Sequence, residues 1–121
     1  MVASQPDALA ALASLAWRAT PATCAERWSQ RQWRRTRHLD YLDDLVMAVA
    51  QGPLRLLASM PPRHGKTDYI SHWLPVWYLA NWPDRRIILA SHTSGFATKL
   101  GRDVRNTLQL NPGIGVRLSG D

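Results

Sequence analysis

The sequence MPPRHGKT at residues 60–67 decides the fold expected of this chain, and the apolar run LRLLA at 54–58 precedes it. Its end matches GxxxxGK followed by Ser or Thr, a pattern that follows a strand, opens a helix and wraps backbone N–H groups around phosphates. The tripeptide GKT at 65–67 supplies the last three positions. Met60 stands where the pattern has its first glycine, and the two prolines after it have no amide hydrogen to donate. The match to the general pattern is therefore partial.

A strand, a helix and a second strand are predicted around these residues. Residues 54–59 follow Pro53 and are too few for an independent helix, so this apolar run predicts a buried strand. A helix is predicted from Lys66 onward, which Pro75 should kink or interrupt, and residues 87–90 predict the second strand. A strand, a crossover helix and a strand form a βαβ unit with parallel strands. We therefore expect an α/β fold in which this unit follows N-terminal helices.

Further helices are predicted before and after the βαβ unit. A first helix is expected to end near Arg18, and a short helix is expected within 22–37. Apolar residues recur at three- and four-residue steps across 39–50, which predicts a longer helix. Thr93 or Ser94 is placed to cap a final helix with an apolar stripe. A parallel sheet of two strands is incomplete, so we expect further strands to be absent from this chain or supplied by another.

Composition and charge narrow the class of protein. The 15 lysines and arginines against nine acidic residues give a net charge of +6, which favours polyanionic partners. Cys24 is the only cysteine, so neither an intramolecular disulfide nor a cysteine-based zinc site is expected, and a reduced cytoplasm fits. The Ala/Leu-rich stretch 8–17 is too short to span a bilayer, and Asp7 precedes it where a secretory signal carries positive charge. We therefore expect no association with a membrane.

The sequence around the loop resembles that of a known family. PPRHGKT, with LRLLAS before it, SHWLPVWYLANWPDRRIILASHTSGFA after it and GRDVRN beyond, resembles the N-terminal ATPase region of tailed-phage (prophage) terminase large subunits. Trp33 and His38 resemble that family's lead-in, so the resemblance runs from Trp33 to Asn106. The family's loop also carries an arginine and lacks the first glycine. The resemblance implies a helical lead-in at 1–35 and an incomplete P-loop ATPase domain at 36–121.

The same resemblance implies ATP and Mg²⁺ as cofactors and gives roles to the loop residues. Lys66 would contact the β- and γ-phosphates, and Arg63 would stabilise charge that develops during γ-phosphoryl transfer, so these two are the expected catalytic residues. Thr67 would hold Mg²⁺ through its hydroxyl. His64 would either donate to a phosphate oxygen or only shape the turn. The expected phosphate-binding residues are Pro62, Arg63, His64, Gly65, Lys66 and Thr67.

The carboxylates that this fold uses for ATP hydrolysis are not found in the sequence. Hydrolysis requires an Asp that closes an apolar strand to hold Mg²⁺ and an acidic neighbour to orient the attacking water. The second predicted strand ends in Ser91 and His92 instead. In the terminase family that acidic strand and a nuclease domain come later than the region resembled here. We therefore expect an ATP-binding N-terminal segment that is not catalytically complete by itself.

Partners follow from the resemblance, and two other functions stay open. The family implies double-stranded DNA, the portal and the small terminase subunit as partners, a ring of subunits in the full-length protein, and the cytoplasm of a bacterial host. A small P-loop phosphotransferase is the first alternative. The second is a non-enzymatic basic module that binds nucleic acid, since arginines alternate with tryptophans near the start of the chain. The residues of this patch are Trp28, Arg31, Trp33, Arg34, Arg35 and Arg37.

Overall fold

The computed structural model describes residues 5–53, 55–59 and 65–119, and their regular structure is helical. The α-helices in chain order are α1 (Gln5–Leu15), α2 (Pro21–Trp28), α3 (Arg37–Ala50), α4 (Lys66–Asp68), α5 (Leu74–Asn81) and α6 (Ser94–Leu110). A π-helical turn at Tyr69–Trp73 joins α4 to α5, and short 3₁₀ turns lie at Ala16–Arg18 and Pro112–Ile114. Within these described ranges, no helix has the length and apolar character needed to cross a membrane.

The predicted βαβ unit, and with it the α/β fold class, is wrong for the part of the chain that the structure describes. Residues 55–59 and 86–90 have no regular secondary structure and belong to no β-ladder, and Leu54 lies outside the described residues. Leu57 is 94% exposed and Ile88 is 92% exposed, so apolar residues that predicted buried strands face solvent. An isolated two-stranded sheet is marginal in water. The core is built by the helices instead.

The helices predicted before the loop are confirmed. α1 and the 3₁₀ turn after it end at Arg18, and α2 is the short helix expected within 22–37. α2 begins with a capping box, because the Thr20 hydroxyl accepts from Thr23 N at 3.2 Å and the Thr23 hydroxyl accepts from Thr20 N at 2.9 Å. α3 covers the predicted range 39–50 and starts two residues earlier. Local sequence therefore determines these helix boundaries.

Helices after the loop also follow the predicted pattern. Pro75 has no amide hydrogen, and the π-helical turn stands directly before α5, with Leu74 N bonded to Tyr69 O. The interruption expected at Pro75 is therefore accommodated without breaking the helical run Lys66–Asn81. The Thr93 hydroxyl caps α6 by accepting from Phe96 N at 3.3 Å. The buried stripe of α6 is Leu100, Val104 and Leu108.

Aromatic side chains from several helices form the core. Trp77 is 2% exposed, and its indole N–H donates to Arg18 O at 2.7 Å, which ties α5 to the turn after α1. Trp17 meets Trp28 edge to face at 5.4 Å between ring centroids. The core takes residues from both sides of residue 35, and the domain boundary expected there stays a prediction. Its large buried members are Trp17, Trp33, Leu39, Leu42, Tyr69, Trp73, Trp77 and Ile114.

Candidate phosphate-binding site

The described part of the loop lies at the start of the helical run Lys66–Asn81. Gly65 is the residue before α4, Lys66 is its first residue, and Thr67 follows. Lys66 is half-buried and the Thr67 side chain is exposed. Met60, Pro61, Pro62, Arg63 and His64 lie outside the described residues, so the roles expected of Pro62, Arg63 and His64 stay predictions.

Gly65 gives the chain the conformation it needs to enter α4. Its φ is +79°, in the left-handed region that residues with a Cβ rarely adopt. A Cβ added at Gly65 would also lie 3.3 Å from the Leu39 Cδ1 atom on α3. Backbone strain and this contact together favour glycine here.

The N-terminus of α4 presents backbone donors that no described side chain satisfies. The first main-chain bond of this helix runs from Tyr69 N to Gly65 O at 3.0 Å, and Gly65 has no side chain to act as a cap. The N–H groups of Lys66, Thr67 and Asp68 precede that bond and are the orphan donors of a helix start. Such donors, with the positive end of the helix dipole, are suited to an anion. Lys66 adds a full positive charge at the same end.

A cavity of about 920 Å³ opens beside Lys66 and Thr67. One face of the helical run Lys66–Asn81 forms one wall, the C-terminal half of α3 forms another, and the irregular segments 55–59 and 86–90 contribute to the rest. Two further cations, Arg85 and Arg86, line the cavity. The described lining residues include no carboxylate. The cavity is therefore apolar in its walls and positive in its charged groups.

Arg85 and Arg86 were not among the site residues expected from the sequence. They follow Pro83 and Asp84 and directly precede the apolar run 87–90. In the structure Arg85 is held over two rings, with its guanidinium carbon 5.0 Å from the Trp82 ring centroid and 5.8 Å from the Tyr78 ring centroid. Arg85 also donates to the Tyr78 hydroxyl at 3.1 Å.

Behind the site, Tyr69 anchors the start of the helical run to α3. Its hydroxyl donates to Asp43 Oδ1 at 2.6 Å, and the same carboxylate oxygen accepts from Ala22 N at 3.0 Å. Asp43 is 2% exposed, so this carboxylate depends on protein donors in place of water. Burial, and then the hydrogen bond to Asp43, raises the pKa of Tyr69 far above its ordinary value, which keeps the hydroxyl a donor. Sequence periodicity placed Asp43 on a helix without showing that it is buried.

Arg35 belongs to a carboxylate cluster and not to a free basic patch. Its guanidinium nitrogens lie 2.6 Å from Glu26 Oε1, 2.5 Å from Asp40 Oδ1 and 4.0 Å from Asp43 Oδ2. Burial by itself lowers the pKa of Arg35, but hydrogen bonds and charges from Asp40 and Glu26 outweigh burial and raise it. One of the four arginines expected to contact nucleic acid is therefore neutralised.

The tryptophans of the same patch are not free to stack on bases. Trp33 is 7% exposed, and Trp28 lies between the edge-on ring of Trp17 and the guanidinium of Arg27 at 4.6 Å. Trp28 also covers Gly113, where an added Cβ would meet its ring at 2.6 Å. These two indoles therefore pack against other parts of the protein.

His72 connects the site helix to α6. Its Nδ1 lies 3.3 Å from Asp68 Oδ1, its Nε2 lies 2.5 Å from Thr107 Oγ1, and its ring stacks on Trp73. Asp68 follows Thr67 directly, so this pair of contacts fixes the residue next to the expected Mg²⁺ ligand. His72 was not assigned a role from the sequence.

The described residues fit a nucleotide's phosphates better than they fit a metal ion by itself. Donors at the helix start and the Lys66 ammonium suit phosphate oxygens. Thr67 offers one hydroxyl, and the described ranges contain no cluster of three His, Cys, Asp or Glu residues able to hold a metal. Mg²⁺ commonly binds through few protein ligands and the phosphates of its substrate. Thr67 therefore suits a metal that arrives with the nucleotide.

Comparisons with known proteins give no relative. No protein-family model matches the chain, and neither a curated protein nor a solved structure matches it.

Proposed function

We propose that this chain binds the phosphates of ATP through residues 60–67, in the manner of the ATP-binding segment of a terminase large subunit. One observation carries the proposal: an uncapped helix start at which left-handed Gly65 is followed by Lys66 and Thr67. A lysine, a hydroxyl and several N–H groups that have no acceptor among the described residues are thereby brought to one point. That set is what the phosphates of a nucleotide require.

The cavity beside the helix supports a nucleotide over a free phosphate ion. A volume of about 920 Å³ is within the range of small-molecule and cofactor sites, which are mostly apolar with a few placed polar groups. Lys66 and Thr67 stand at one end of the helix face that lines the cavity, and Ile70 and Leu74 follow them along it. The phosphates would bind at Lys66 and Thr67, and the base and sugar would lie against the apolar walls of the cavity.

Binding is proposed without efficient turnover. γ-Phosphoryl transfer to water requires a carboxylate that holds Mg²⁺ and another group that orients the attacking water. Near the loop, the described carboxylate next in sequence is Asp68, and its Oδ1 is directed to His72 at 3.3 Å. Mg²⁺, when bound with ATP, would neutralise phosphate charge and be held by Thr67. The residues of this chain would bind and orient the phosphates.

Within the same proposal the chain serves as part of a DNA-packaging motor. That role, with double-stranded DNA, the portal and the small terminase subunit as partners, rests on the likeness of 33–106 to the terminase family. The basic-module alternative is weaker, because Arg35 is paired with carboxylates and Trp33 is buried. No described feature favours the phosphotransferase alternative.

A comparison of ATP, ADP and AMP tests the phosphate-binding claim. Calorimetric titration of the purified chain with Mg²⁺ present should give affinities that fall from ATP to ADP to AMP, because each lost phosphate removes contacts at Lys66 and the helix start. Equal affinities for all three would place recognition on the nucleoside and contradict the proposal. Turnover of ATP abolished by Lys66→Ala would contradict the claim that the chain binds without hydrolysing.

A further inference from the structure

We propose that His72 is a positioning residue of the phosphate site, which holds the Asp68 carboxylate away from the helix start and neutralises its charge so that ATP phosphates can bind there. This inference rests on the proposed function and adds a residue to it. Asp68 follows Thr67 directly and lies in the first turn of the helical run Lys66–Asn81. Without a partner, its carboxylate would stand among the N–H groups proposed for the phosphates.

A carboxylate that is not held in place would compete with phosphate at this helix start. The positive end of the helix dipole and the orphan N–H groups attract any anion, including a side chain of the same turn. An acidic side chain at the third helical position can also reach back to the N–H before the helix, as in a capping box. Asp68 occupies that position after Gly65. ATP must therefore displace this carboxylate or find it already held elsewhere.

The structure directs the Asp68 carboxylate one turn along the helix. Its Oδ1 lies 3.3 Å from Nδ1 of His72, four positions on, and within the described residues this ring is the one partner of the carboxylate. The Asp68 side chain is 54% exposed, so packing alone does not fix its direction. The contact with His72 therefore keeps the carboxylate from the N–H groups of Lys66 and Thr67.

His72 is itself held in place on two sides. Its Nε2 lies 2.5 Å from Thr107 Oγ1 on α6, and its ring stacks on Trp73 with 4.6 Å between centroids and 12° between the planes. It also belongs to the π-helical turn Tyr69–Trp73, a rare form that is frequent at functional sites. A ring fixed in this way can fix the carboxylate that it meets.

The directions of the hydrogen bonds give His72 a positive charge in this arrangement. Thr107 has one hydroxyl hydrogen and donates it to Asp103 O at 3.0 Å, so toward the ring its oxygen accepts and Nε2 carries a hydrogen. Nδ1 faces the carboxylate of Asp68, which only accepts when it is ionised. A ring that donates to both partners is protonated at both nitrogens. Such a ring neutralises the charge of Asp68.

Two substitutions of His72 separate its two contacts. Glutamine places an amide nitrogen near the position of Nε2, so His72→Gln keeps a donor for Thr107 and loses the donor for Asp68. Asparagine places its amide nitrogen near Nδ1, so His72→Asn keeps the donor for Asp68. In calorimetric titration with Mg²⁺ and ATP, the Kd should rise by about fivefold or more in His72→Gln, and His72→Asn should bind at least about threefold more tightly than that variant.

A purely structural role for His72 predicts the opposite order. Asparagine is a poorer helix former than glutamine, so His72→Asn would then be the more damaged variant. AMP should respond to His72→Gln less than ATP does, because it has fewer phosphates for the released carboxylate to repel. His92→Gln is the matched control, since His92 is exposed, is not among the residues that line the cavity, and should leave the Kd for ATP unchanged.

Removal of the carboxylate should rescue the weak variant. If His72→Gln acts by releasing Asp68, the double variant with Asp68→Asn should bind ATP within about twofold of Asp68→Asn alone. A loss in His72→Gln that Asp68→Asn does not rescue would contradict the proposal, because the effect would then not pass through the carboxylate.

The outcomes distinguish this inference from the proposed function. If the wild-type chain does not bind ATP, both are wrong. If the wild type binds ATP and Lys66→Ala does not, while His72→Gln binds as tightly as the wild type, the proposed function stands and the role given to His72 is wrong. Weaker binding in His72→Gln, retained by His72→Asn and rescued by Asp68→Asn, is the result that the proposal predicts.

Discussion

The Tyr69 hydroxyl donates a 2.6 Å hydrogen bond to Asp43 Oδ1, and this bond joins the helix that carries Lys66 and Thr67 to α3. Asp43 is 2% exposed and also accepts from Ala22 N, so α2, α3 and the site helix meet at one carboxylate. A buried carboxylate is stable only when donors replace the water it has lost. The orientation of the candidate site therefore depends on a polar contact inside the core.

Tyr69→Phe removes that donor and leaves the rest of the ring in place. We expect the free energy of unfolding to fall by about 1–3 kcal/mol, the usual cost of leaving a buried polar partner unsatisfied. Tyr78→Phe is the control, since it removes a hydroxyl that meets the exposed Arg85, and it should cost less than about 0.5 kcal/mol. Urea denaturation measures both. Equal losses would mean that the Asp43 contact contributes no special stability.

The buried thiol of Cys24 should make the folded chain less stable in alkali. Its thiol is completely buried, and burial raises its pKa from 9.0 to about 12, slightly opposed by the charge of Arg18. The folded chain keeps the Cys24 proton that the unfolded chain releases above pH 9. The contribution of this thiol to the free energy of unfolding is therefore constant below pH 9 and is lost as the pH rises toward 12.

Cys24→Ala should remove this dependence. Between pH 8 and pH 10 we expect the wild type to lose about 1 kcal/mol more free energy of unfolding than the variant loses, given about 1.4 kcal/mol per pH unit for one proton. Tyrosine titration in the unfolded state is the same in both chains and cancels. Parallel pH profiles for the two chains would show that the thiol does not titrate differently on folding.

Gly65 and Gly101 should respond to alanine in opposite directions. Gly65→Ala places a Cβ on a residue with φ +79° and 3.3 Å from Leu39 Cδ1. We therefore expect the free energy of unfolding to fall by about 1 kcal/mol and ATP binding to weaken. Gly101 lies inside α6 with nothing within 4 Å of an added Cβ, so Gly101→Ala should stabilise by about 0.5–1 kcal/mol. Thermal unfolding compares them, and a neutral Gly65→Ala would contradict the strain argument.

Replacing Gln30 with glycine should slightly increase the stability of the chain. Gln30 and Arg31 have positive φ values of 55° and 68°, in the left-handed region after α2. Gln30→Gly relieves the steric cost of the left-handed conformation, and the greater freedom of glycine in the unfolded chain offsets part of that benefit. We therefore expect the free energy of unfolding to rise by about 0.5 kcal/mol. Gln32→Gly is the control, because Gln32 has no positive φ, and it should be neutral or destabilising. A loss on Gln30→Gly would contradict this interpretation.

Helices were predictable from local signals, whereas the strands were not. Thr20 and Thr93 cap helices through their own side chains, and the apolar spacing across 39–50 reports one buried face. A strand depends on a backbone partner elsewhere, and the apolar run at 54–58 does not reveal whether one is present. In the described residues 55–59 and 86–90 have no such partner, and the α/β expectation was wrong for that reason.

The candidate site was predictable only in part. GKT identified Gly65, Lys66 and Thr67 directly, because their chemistry is local to the helix start. Arg85 reaches the same cavity from a distant turn, and Tyr69 meets Asp43 from 26 positions away. Contacts of that kind depend on how helices pack, and neither residue type nor spacing specifies them.

Titration of the chain with Mg²⁺ and ATP, before and after Lys66→Ala, tests the central claim most directly. Loss of a charge-assisted contact of about 1.5–3 kcal/mol predicts that the Kd rises by at least tenfold. Lys99→Ala is the matched control, because Lys99 is exposed on α6 and pairs with Asp103 at 2.9 Å, away from the cavity, and it should leave the Kd unchanged. If Lys66→Ala binds ATP as tightly as the wild type, the loop does not hold the phosphates and the account is wrong.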